Sequence, residues 1–545
     1  MTIEQSSNTG DITDSKYGIE ALYRFTSGRW LWNEEQQLAC RYVKFDLSAL
    51  LRLAASAIGA RACTRVLKVS EGQYNKVFQL TMDDGREVIA KLPNPSAGRP
   101  HFTTASEVAT MFFVRNVLNL PVPKVYAWSS RPSKSPVGAE YILMEKQTGV
   151  VLTDVGDTPK GKQKVQILEQ VIEMERLLAS TKFSKFGPLY YKDDIGLSKD
   201  SDSSASLYID STGTKVCCET FTIGPNNHRS FFDFGRGELD TYRGPWSTIT
   251  ELVTAIARRE IATAKAGLRY PLMPEGLFYG PRQYQPTLSK KLCVGKLSQA
   301  THASVLWHSD LHSQNIFVDP ESPGHITGII DWQSVSAWPL FMQVGRLAFL
   351  DYNGPVPEKL GKVHLPPSFD SMDPDEQRNA KALHTAQTLH NIYLVRCLQS
   401  NKTVFNAIEG QNTLRHQISV TLGLVLMGYE PLLNSLLRDV GKEWTQIVGI
   451  GEGGNSPTTP FPLQLTDEEV RLQERDGDLS AQGVELMNTF VEDTGCFKHW
   501  DGRVTDLVYE ESKKQLDEGV KRFLDREART EDERRKWLEA LPFVD

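Results

Sequence analysis

Four polar residues in the second half of the chain have a spacing that suits catalysis on phosphate groups. His308, Asp310 and Asn315 form the pattern H-x-D-x-x-x-x-N, and Asp331 follows at the end of an apolar stretch. Phosphoryl transfer requires a carboxylate beside the acceptor hydroxyl and metal ligands that hold magnesium across the phosphates. We therefore expect Asp310 to be the catalytic base, and Asn315 and Asp331 to be magnesium ligands. We expect His308 to orient the loop rather than to react.

Each of these residues also has an ordinary structural interpretation. Asp310 and Asn315 could be turn residues, and Asp331 could cap the end of a strand. The joint spacing, with short apolar stretches at 316–318 and 326–330, favours the catalytic interpretation over those separate ones.

A lysine and a glutamate upstream complete a nucleotide site. The apolar run Val88-Ile89-Ala90 ends at Lys91, and Glu107 follows within a stretch of helical periodicity. Kinases pair a lysine on the third strand with a helix glutamate to position the α- and β-phosphates of ATP. Taken alone, Lys91 and Glu107 would be interpreted as surface residues.

A loop between the first two predicted strands lies where a phosphate-covering loop is expected. It spans Ser70 to Asn75 and contains the single glycine Gly72. Glycine allows a backbone to approach phosphate closely, so Gly72 and Asn75 are predicted nucleotide contacts.

A short apolar stretch, Tyr141 to Met144, precedes Glu145 and Gln147. This is the position at which kinases have the hinge whose backbone binds adenine, so Glu145 and Gln147 are also predicted nucleotide contacts. An ordinary edge strand explains the same local pattern equally well.

The strands and the helix predicted around these residues follow one another in a characteristic order. Three β-type runs, at 66–69, 77–82 and 88–91, predict an antiparallel meander, and a helix from about Ala105 to Leu118 follows. We predict an α+β, two-lobed, protein-kinase-like fold with a small antiparallel β-sheet N-lobe, one main helix, and a larger, mainly helical C-lobe. The expected units are an N-terminal extension at 1–60, disordered for about its first 15 residues and then helical, the N-lobe at 61–147, the C-lobe at 148–448 with the catalytic loop and an insertion at 191–297, a linker at 449–463 and a C-terminal helical extension at 464–545.

Composition excludes several classes of protein. The 545 residues are 40% hydrophobic and 24% charged, with a net charge of −7, which argues against a dominant nucleic-acid-binding surface. The seven cysteines contain no C-x-x-C pair, so a disulfide framework or a zinc site is not indicated. We find no apolar run long enough to span a membrane and an acidic start unlike a targeting peptide, which favours a soluble, intracellular, cytoplasmic chain of undetermined oligomeric state.

The motif residues resemble the aminoglycoside phosphotransferase family of kinase-like enzymes. The resemblance rests on H-x-D-L-H-x-x-N-I and I-I-D-W-Q, on Gly72 with Asn75, and on the segment Ser27 to Glu34. It implies a small-molecule hydroxyl as acceptor, with ATP and Mg²⁺ as cofactors, and a similarity to fungal members of the family implies a mitochondrial location. The family commonly has glycine at the position of Ser309, which matters only if the backbone there requires positive φ.

Two other classes of function remain open. A kinase-shaped scaffold without catalysis, or pseudokinase, is compatible with the single-glycine loop and the large additions. A protein kinase is disfavoured because Trp332 replaces the Phe-Gly pair and no Ala-Pro-Glu follows.

Three further motifs have plain interpretations. Asp233-Phe234-Gly235 precedes the catalytic loop, which is the wrong order for a metal-binding role, so we predict a turn. The glycine-rich stretch 449–454 is followed by prolines and predicts a linker. His384 and His390 are six residues apart and do not share a helix face as metal ligands would.

Overall fold

The N-lobe is built on a five-stranded antiparallel sheet of order β2-β3-β4-β6-β5. In the computed structural model, the described residues are 18–155, 161–197, 205–268, 301–345, 347, 350, 357, 360–448, 459–495, 502–541 and 543. The strands of the N-lobe are β1 (Arg29–Trp30), β2 (Cys63–Glu71), β3 (Asn75–Met82), β4 (Glu87–Pro93), β5 (Val125–Ser129) and β6 (Tyr141–Glu145).

Helices cover both faces of this sheet. They are α1 (Glu20–Tyr23), α2 (Glu34–Ala39), α3 (Leu47–Ile58) and α4 (Phe102–Asn116). The Asp46 carboxylate accepts the Ala49 N–H at the start of α3, and Gly59 ends it in the left-handed conformation. Alternate strand side chains pack on α3, whereas α4 packs towards the C-lobe. The predicted meander and the helix after it are confirmed.

The C-lobe is mainly helical, with short strands around the candidate site. Its helices are α5 (Gly161–Ser180), α6 (Ile249–Lys265), α7 (Leu340–Gln343), α8 (Pro374–Ser400), α9 (Lys402–Glu409), α10 (Leu414–Thr421) and α11 (Glu430–Val448). Its strands are β7 (Val150–Val151), β8 (Lys182–Phe183), β9 (Leu189–Tyr191), β10 (Ser206–Ile209), β11 (Lys215–Cys217), β12 (Phe221–Ile223), β13 (Ser304–Leu306), β14 (Ile316–Val318), β15 (Ile326–Ile329) and β16 (Ala337–Pro339). Helix α8 begins at an Asp373 capping box with proline at its first position, as its sequence predicts.

The C-terminal segment is helical and contacts both lobes. It contains α12 (Asp467–Thr494), β17 (Arg503–Val504), α13 (Tyr509–Glu527) and α14 (Glu531–Ala540). Helix α12 packs on α11, and β17 pairs with β1 of the N-lobe. A narrow buried stripe on α13, which includes Leu516, Phe523 and Leu524, packs near Leu31 and Trp32, so the charged C-terminal region is docked rather than fully solvated.

Some expectations lie outside the described residues. These are the N-terminal 17 residues, the glycine-rich stretch 449–454 and part of the insertion. Within the described part of the chain, no helix combines the length and the apolarity that a membrane crossing requires.

Buried Glu175 on α5 generates a pH prediction. Its carboxyl accepts the Tyr393 hydroxyl at 2.9 Å, and burial raises the pKa of Glu175 to about 8, while that hydrogen bond opposes the rise. The folded state then binds a proton more tightly than the unfolded state. The contribution of Glu175 to the free energy of unfolding is therefore fully present below about pH 4.5, the ordinary pKa of the group. It is lost as the pH rises towards about 8, the pKa in the folded state.

We expect Glu175→Gln, which does not titrate, to be more stable than wild type by about 1–3 kcal/mol at pH 8, and to lack this pH dependence. Chemical denaturation at pH 5 and pH 8 measures it. Glu169→Gln, on the same helix but half exposed and facing Arg396, is the control and should change little. An unchanged pH dependence in Glu175→Gln would contradict the assignment.

The close contact at Gly28 leads to a prediction about how the C-terminal segment packs on the N-terminal extension. Its φ is +141°, and a Cβ there would lie 2.5 Å from the Val504 carbonyl oxygen. We expect Gly28→Ala to loosen β17 and α13 and to lower stability by about 1–3 kcal/mol. Gly477→Ala, in an open position within α12, should instead stabilise by about 1 kcal/mol. Thermal unfolding with limited proteolysis distinguishes them, and equal effects would refute the packing argument.

Candidate functional site

The side chain of Lys91 connects the two lobes at the centre of the cleft. It lies on β4, on the sheet face opposite to α3, and is buried. Its Nζ donates to Glu107 Oε1 at 2.7 Å and to Asp331 Oδ1 at 2.8 Å. Strand β4, helix α4 and the turn after β15 therefore bring together three residues that are distant in sequence.

The electrostatics of this cluster keep the lysine and the aspartate charged. Burial alone would lower the pKa of Lys91, but the carboxylates of Asp331 and Glu107 raise it. Burial would raise the pKa of Asp331, but the Lys91 ammonium outweighs this and holds that pKa below its usual value. The two carboxylates thus keep the Lys91 ammonium positively charged, and a positive charge is what would attract phosphate oxygens.

Asp331 is held in a strained turn by the residues around it. Its φ is +61°, in the left-handed region that non-glycine residues rarely adopt. Trp332 is fully buried, and its indole N–H donates to the Ile329 carbonyl at 3.2 Å. The Asp331 side chain is 39% exposed, so it remains accessible from the cleft.

His308 supports this turn from the catalytic loop. Its Nε2–H donates to the carbonyl oxygen of Ile330 at 2.9 Å, and its ring lies edge-on to Trp332 at 4.8 Å. Burial lowers the pKa of His308, while the hydrogen bond to the Ile330 carbonyl opposes that fall. The structure thus places His308 where it can orient the backbone before Asp331.

Asp310 and Asn315 occupy the same loop with different exposure. The Asp310 side chain is 70% exposed, whereas Asn315 is buried and its Nδ2 donates to the Asp310 carbonyl at 2.9 Å. Ser309 lies outside the left-handed region, so serine in place of glycine costs the loop no backbone strain.

His312 is a residue of this loop to which the sequence assigned no role. Its Nε2 lies 3.7 Å from Asp310 Oδ2 and 3.3 Å from Asn315 Nδ2. Its Nδ1 accepts the backbone N–H of Gln314 at 3.2 Å, which fixes the ring. The second histidine of H-x-D-L-H was the available signal, since a side chain two positions after Asp310 returns to the same side of an extended loop.

The phosphate-covering loop is tied to both lobes. Asn75 Nδ2 donates to Gln333 Oε1 at 2.7 Å, and Gln333 Nε2 donates to the Ala97 carbonyl at 3.0 Å. Gly72 N–H donates to the Asn75 carbonyl at 3.1 Å, and a Cβ at Gly72 would meet no atom within 4 Å. The structure brings Asn75 next to the Asp331 turn, while the backbone at Gly72 does not itself require glycine.

Buried Glu71 anchors the base of this loop. Its carboxylate pairs with Lys76, with Lys68 at 2.7 Å, and with the Thr26 backbone N–H at 2.6 Å. Burial lowers the pKa of Lys68 to about 8, and Glu71 opposes that fall. Sequence reasoning missed this network because a single glutamate between two lysines resembles a solvated strand.

The predicted hinge residues contribute in different ways. Glu145 lies on the sheet face opposite to Lys91, where its carboxylate accepts the Lys124 N–H at 2.9 Å and faces Arg115 at 3.3 Å. Gln147 donates through Nε2 to the Thr327 carbonyl at 2.6 Å. Neither side chain joins the Lys91 cluster, so a nucleotide contact here would come from the backbone.

The donor set fits a divalent cation of the magnesium type. Asp331 binds Lys91 through Oδ1, and Asn315 donates to the Asp310 carbonyl through Nδ2. Within the described residues, the second oxygen of Asp331, Oδ2, and the amide oxygen of Asn315, Oδ1, make no hydrogen bond. Hard oxygen donors of this kind suit Mg²⁺.

The remaining motifs have structural roles. Asp233 pairs with Arg229 at 2.6 Å within a turn, as predicted, and does not reach the Lys91 cluster. His384 Nε2 donates to the Val363 carbonyl at 3.1 Å. Elsewhere in the described chain, no three His, Cys, Asp or Glu side chains converge as metal ligands.

The antiparallel lobe, the helical lobe and the lysine bridge across the cleft define a kinase-like protein. A family profile described as the phosphotransferase enzyme family matches residues 282–361, which include the catalytic loop and Asp331. A subtelomeric hrmA-associated cluster protein of Aspergillus fumigatus is 35% identical over 457 residues, covering 75% of this chain and 83% of that protein. The chain therefore belongs to this family of kinase-like phosphotransferases.

A second relative is altered inheritance of mitochondria protein 9 of Yarrowia lipolytica, which is named as mitochondrial. It is 24% identical over 491 residues, covering 84% of this chain and 81% of that protein. A solved structure from Ralstonia eutropha, described as a candidate aminoglycoside phosphotransferase, is 12% identical with a TM-score of 0.35, covering 81% of this chain and 98% of that one. We infer nothing from a structural match at that score.

Gln333 tests how the phosphate-covering loop is held. We expect Gln333→Ala to raise amide hydrogen exchange at 72–75 about 5-fold, since the bond to Asn75 that holds this loop is worth about 1 kcal/mol. Hydrogen–deuterium exchange with mass spectrometry measures this. Gln314→Ala, an exposed position of the catalytic loop, is the matched control. Equal exchange in both variants would show that Gln333 does not hold the loop.

Proposed function

We propose that this protein is an ATP- and Mg²⁺-dependent phosphotransferase that acts on a hydroxyl group of a small molecule. The observation that carries the proposal is the convergence of Glu107 and Asp331 on the ammonium of Lys91, beside the loop of Asp310 and Asn315. Family membership supports the phosphotransferase class.

Each residue has a role that its surroundings support. Lys91, held by Glu107, would bind phosphate oxygens, and Asp331 with Asn315 would hold Mg²⁺ through their two available oxygens. Bound ATP with Mg²⁺ would supply an activated phosphoryl group. Asp310, the exposed carboxylate of the loop, would accept the proton of the acceptor hydroxyl, while His308 orients the Asp331 turn.

The backbone of the hinge is available for adenine. Within the described residues, the backbone N–H of Gln147 makes no hydrogen bond, and the bond to the Thr327 carbonyl comes from its side chain. Gly72 and Asn75 would cover the phosphates, and Glu145 would contribute through its backbone.

A pseudokinase or scaffold is the alternative, and two observations favour keeping it. The loop has one glycine and is tied down through Asn75 and Gln333, and Lys91 already occupies one oxygen of Asp331. A catalyst must release or share these contacts when nucleotide binds, whereas a scaffold could retain them. Production of ADP in the presence of a metabolite extract distinguishes the two.

The mitochondrial name of the Yarrowia lipolytica relative suggests a place of action. We extend that location to this chain as part of the proposal. A full-length chain with a C-terminal fluorescent tag should overlap a mitochondrial marker in fungal cells, and uniform cytosolic fluorescence would contradict it.

Substitutions of the two aspartates separate nucleotide binding from transfer. We expect Asp331→Ala to weaken Mg²⁺-dependent ATP binding by at least about 10-fold, because it removes a metal ligand. We expect Asp310→Ala to leave ATP affinity within about 2-fold and to reduce phosphorylated product at least about 100-fold.

Calorimetry with ATP and Mg²⁺ measures the first effect, and a mass-spectrometric screen for phosphorylated metabolites measures the second. Asp319→Ala, on the turn between β14 and β15, is the matched control and should behave as wild type. Undiminished nucleotide binding in Asp331→Ala would remove the basis of the nucleotide site, and transfer by Asp310→Ala would exclude its role as base.

A further inference from the structure

Three arginines gather where the insertion meets the phosphate-covering loop. Arg229 lies over the ring of Tyr74, 4.7 Å from its centroid, at the tip of that loop. Arg99 and Arg243 both lie over the ring of Phe232, at 5.0 and 5.1 Å. The cluster joins the N-lobe segment before α4 to the insertion.

The positive charge of this cluster exceeds its negative charge. Asp233 pairs with Arg229, with both contacts on the same carboxylate oxygen at 2.6 and 2.7 Å. Arg243 donates to backbone carbonyls, which hold the guanidinium in place but carry no net charge; they belong to Arg236, Gly237 and Leu239. Among the described residues, Arg229 is therefore the member of the cluster that pairs with a carboxylate.

Arg99 is the group whose charge is least compensated. It is half-buried and lies 3.7 Å from the centroid of the Phe102 ring. Within the described part of the chain, its guanidinium makes no hydrogen bond or ion pair. Burial lowers the pKa of Arg99 and Arg243 lowers it further, while Tyr190, a phenol rather than a carboxylate, opposes that fall. A partly desolvated cation of this kind is stabilised by a bound anion.

The cluster lies on the Asp331 side of the cleft rather than on the hinge side. Asn75, next to Tyr74, bonds Gln333, which lies two residues after Asp331. Gln333 also bonds the Ala97 carbonyl, two residues before Arg99. An anion held by Arg99 would therefore lie near the phosphoryl group that is transferred, where the acceptor must also lie.

We propose that the acceptor is an anionic hydroxyl compound, whose phosphate or carboxylate group is bound by Arg99 of this arginine cluster. The inference rests on the proposed function and specifies its substrate class. Guanidinium groups suit this role because their planar N–H donors match the oxygens of phosphate and carboxylate. Such a substrate is opposite in charge to a cationic aminoglycoside.

Binding of orthophosphate to the full-length chain tests the anion site. Orthophosphate is titrated by calorimetry into protein saturated with Mg²⁺ and AMP-PNP, so that the nucleotide's own phosphate sites are filled. We expect wild type to bind it, Arg99→Gln to bind at least about 10-fold more weakly, and Arg99→Lys to bind with intermediate affinity. Arg86→Gln removes an exposed guanidinium of the same lobe, paired with Asp84, and should leave the affinity unchanged.

The outcomes separate this inference from the proposed function. Equal phosphate affinity in wild type and Arg99→Gln overturns the inference. Orthophosphate that binds only when AMP-PNP is absent also overturns it, because Arg99 then serves the nucleotide. If AMP-PNP itself does not bind, the proposed function fails, and a titration without nucleotide still shows whether Arg99 holds an anion.

Turnover gives a second readout. We expect transfer to sugar phosphates or hydroxy acids, with KM for that acceptor at least about 10-fold higher in Arg99→Gln and KM for ATP unchanged. Transfer restricted to uncharged sugars or aminoglycosides, insensitive to Arg99→Gln, overturns the assignment of an anionic acceptor.

Discussion

The buried ammonium of Lys91 is the group on which the arrangement of the cleft depends. Strand β4 delivers it from one lobe, and Asp331 reaches it from the other. A buried cation requires counter-charges, so the lysine fixes both the rotation of α4, through Glu107, and the approach of the Asp331 turn. Removal of the ammonium would leave the buried Glu107 carboxylate without its counter-charge, at a cost of about 3–5 kcal/mol.

The phosphate-covering loop depends on a second buried charge cluster. Glu71 gathers Lys68 and Lys76 and also accepts the Thr26 N–H, so the N-terminal extension is fastened to the loop's base. Two residues further on, Gly28 lies against Val504 of the C-terminal segment. The N-terminal extension and the C-terminal segment therefore support the N-lobe together. The aromatic segment Arg29–Trp32 lies at the contact between them.

The sequence predicted the parts that depend on local pattern. Alternating apolar residues predicted β2 to β4, and helical periodicity predicted α4. It also predicted a site from the spacing of His308, Asp310, Asn315 and Asp331, which the fold brings next to Lys91. The contact between Asn75 and Gln333 was not predictable, because it joins residues 258 apart that only the tertiary fold brings together.

The side chain of Glu145 shows another limit of sequence pattern. Its position at the end of β6 fits a hinge, but alternation along the strand turns its carboxylate to the sheet face away from Lys91. The arginine cluster could not be predicted either, because Arg99, Arg229 and Arg243 share no sequence motif. They meet because the insertion folds back on the start of α4, with Phe232 between two of them.

The backbone at Asp331 bears on whether this cleft is catalytic or only structural. A left-handed φ at a non-glycine residue costs about 1 kcal/mol, and a second such residue, Ser334, follows in the same turn. A scaffold needs only the ion pair with Lys91, which a less strained turn could also provide. The strained turn instead presents one oxygen of Asp331 to Lys91 and leaves the other without a hydrogen bond among the described residues, as is the amide oxygen of Asn315. That division of the carboxylate supports a site that binds a metal ion and the lysine at the same time, as phosphoryl transfer requires.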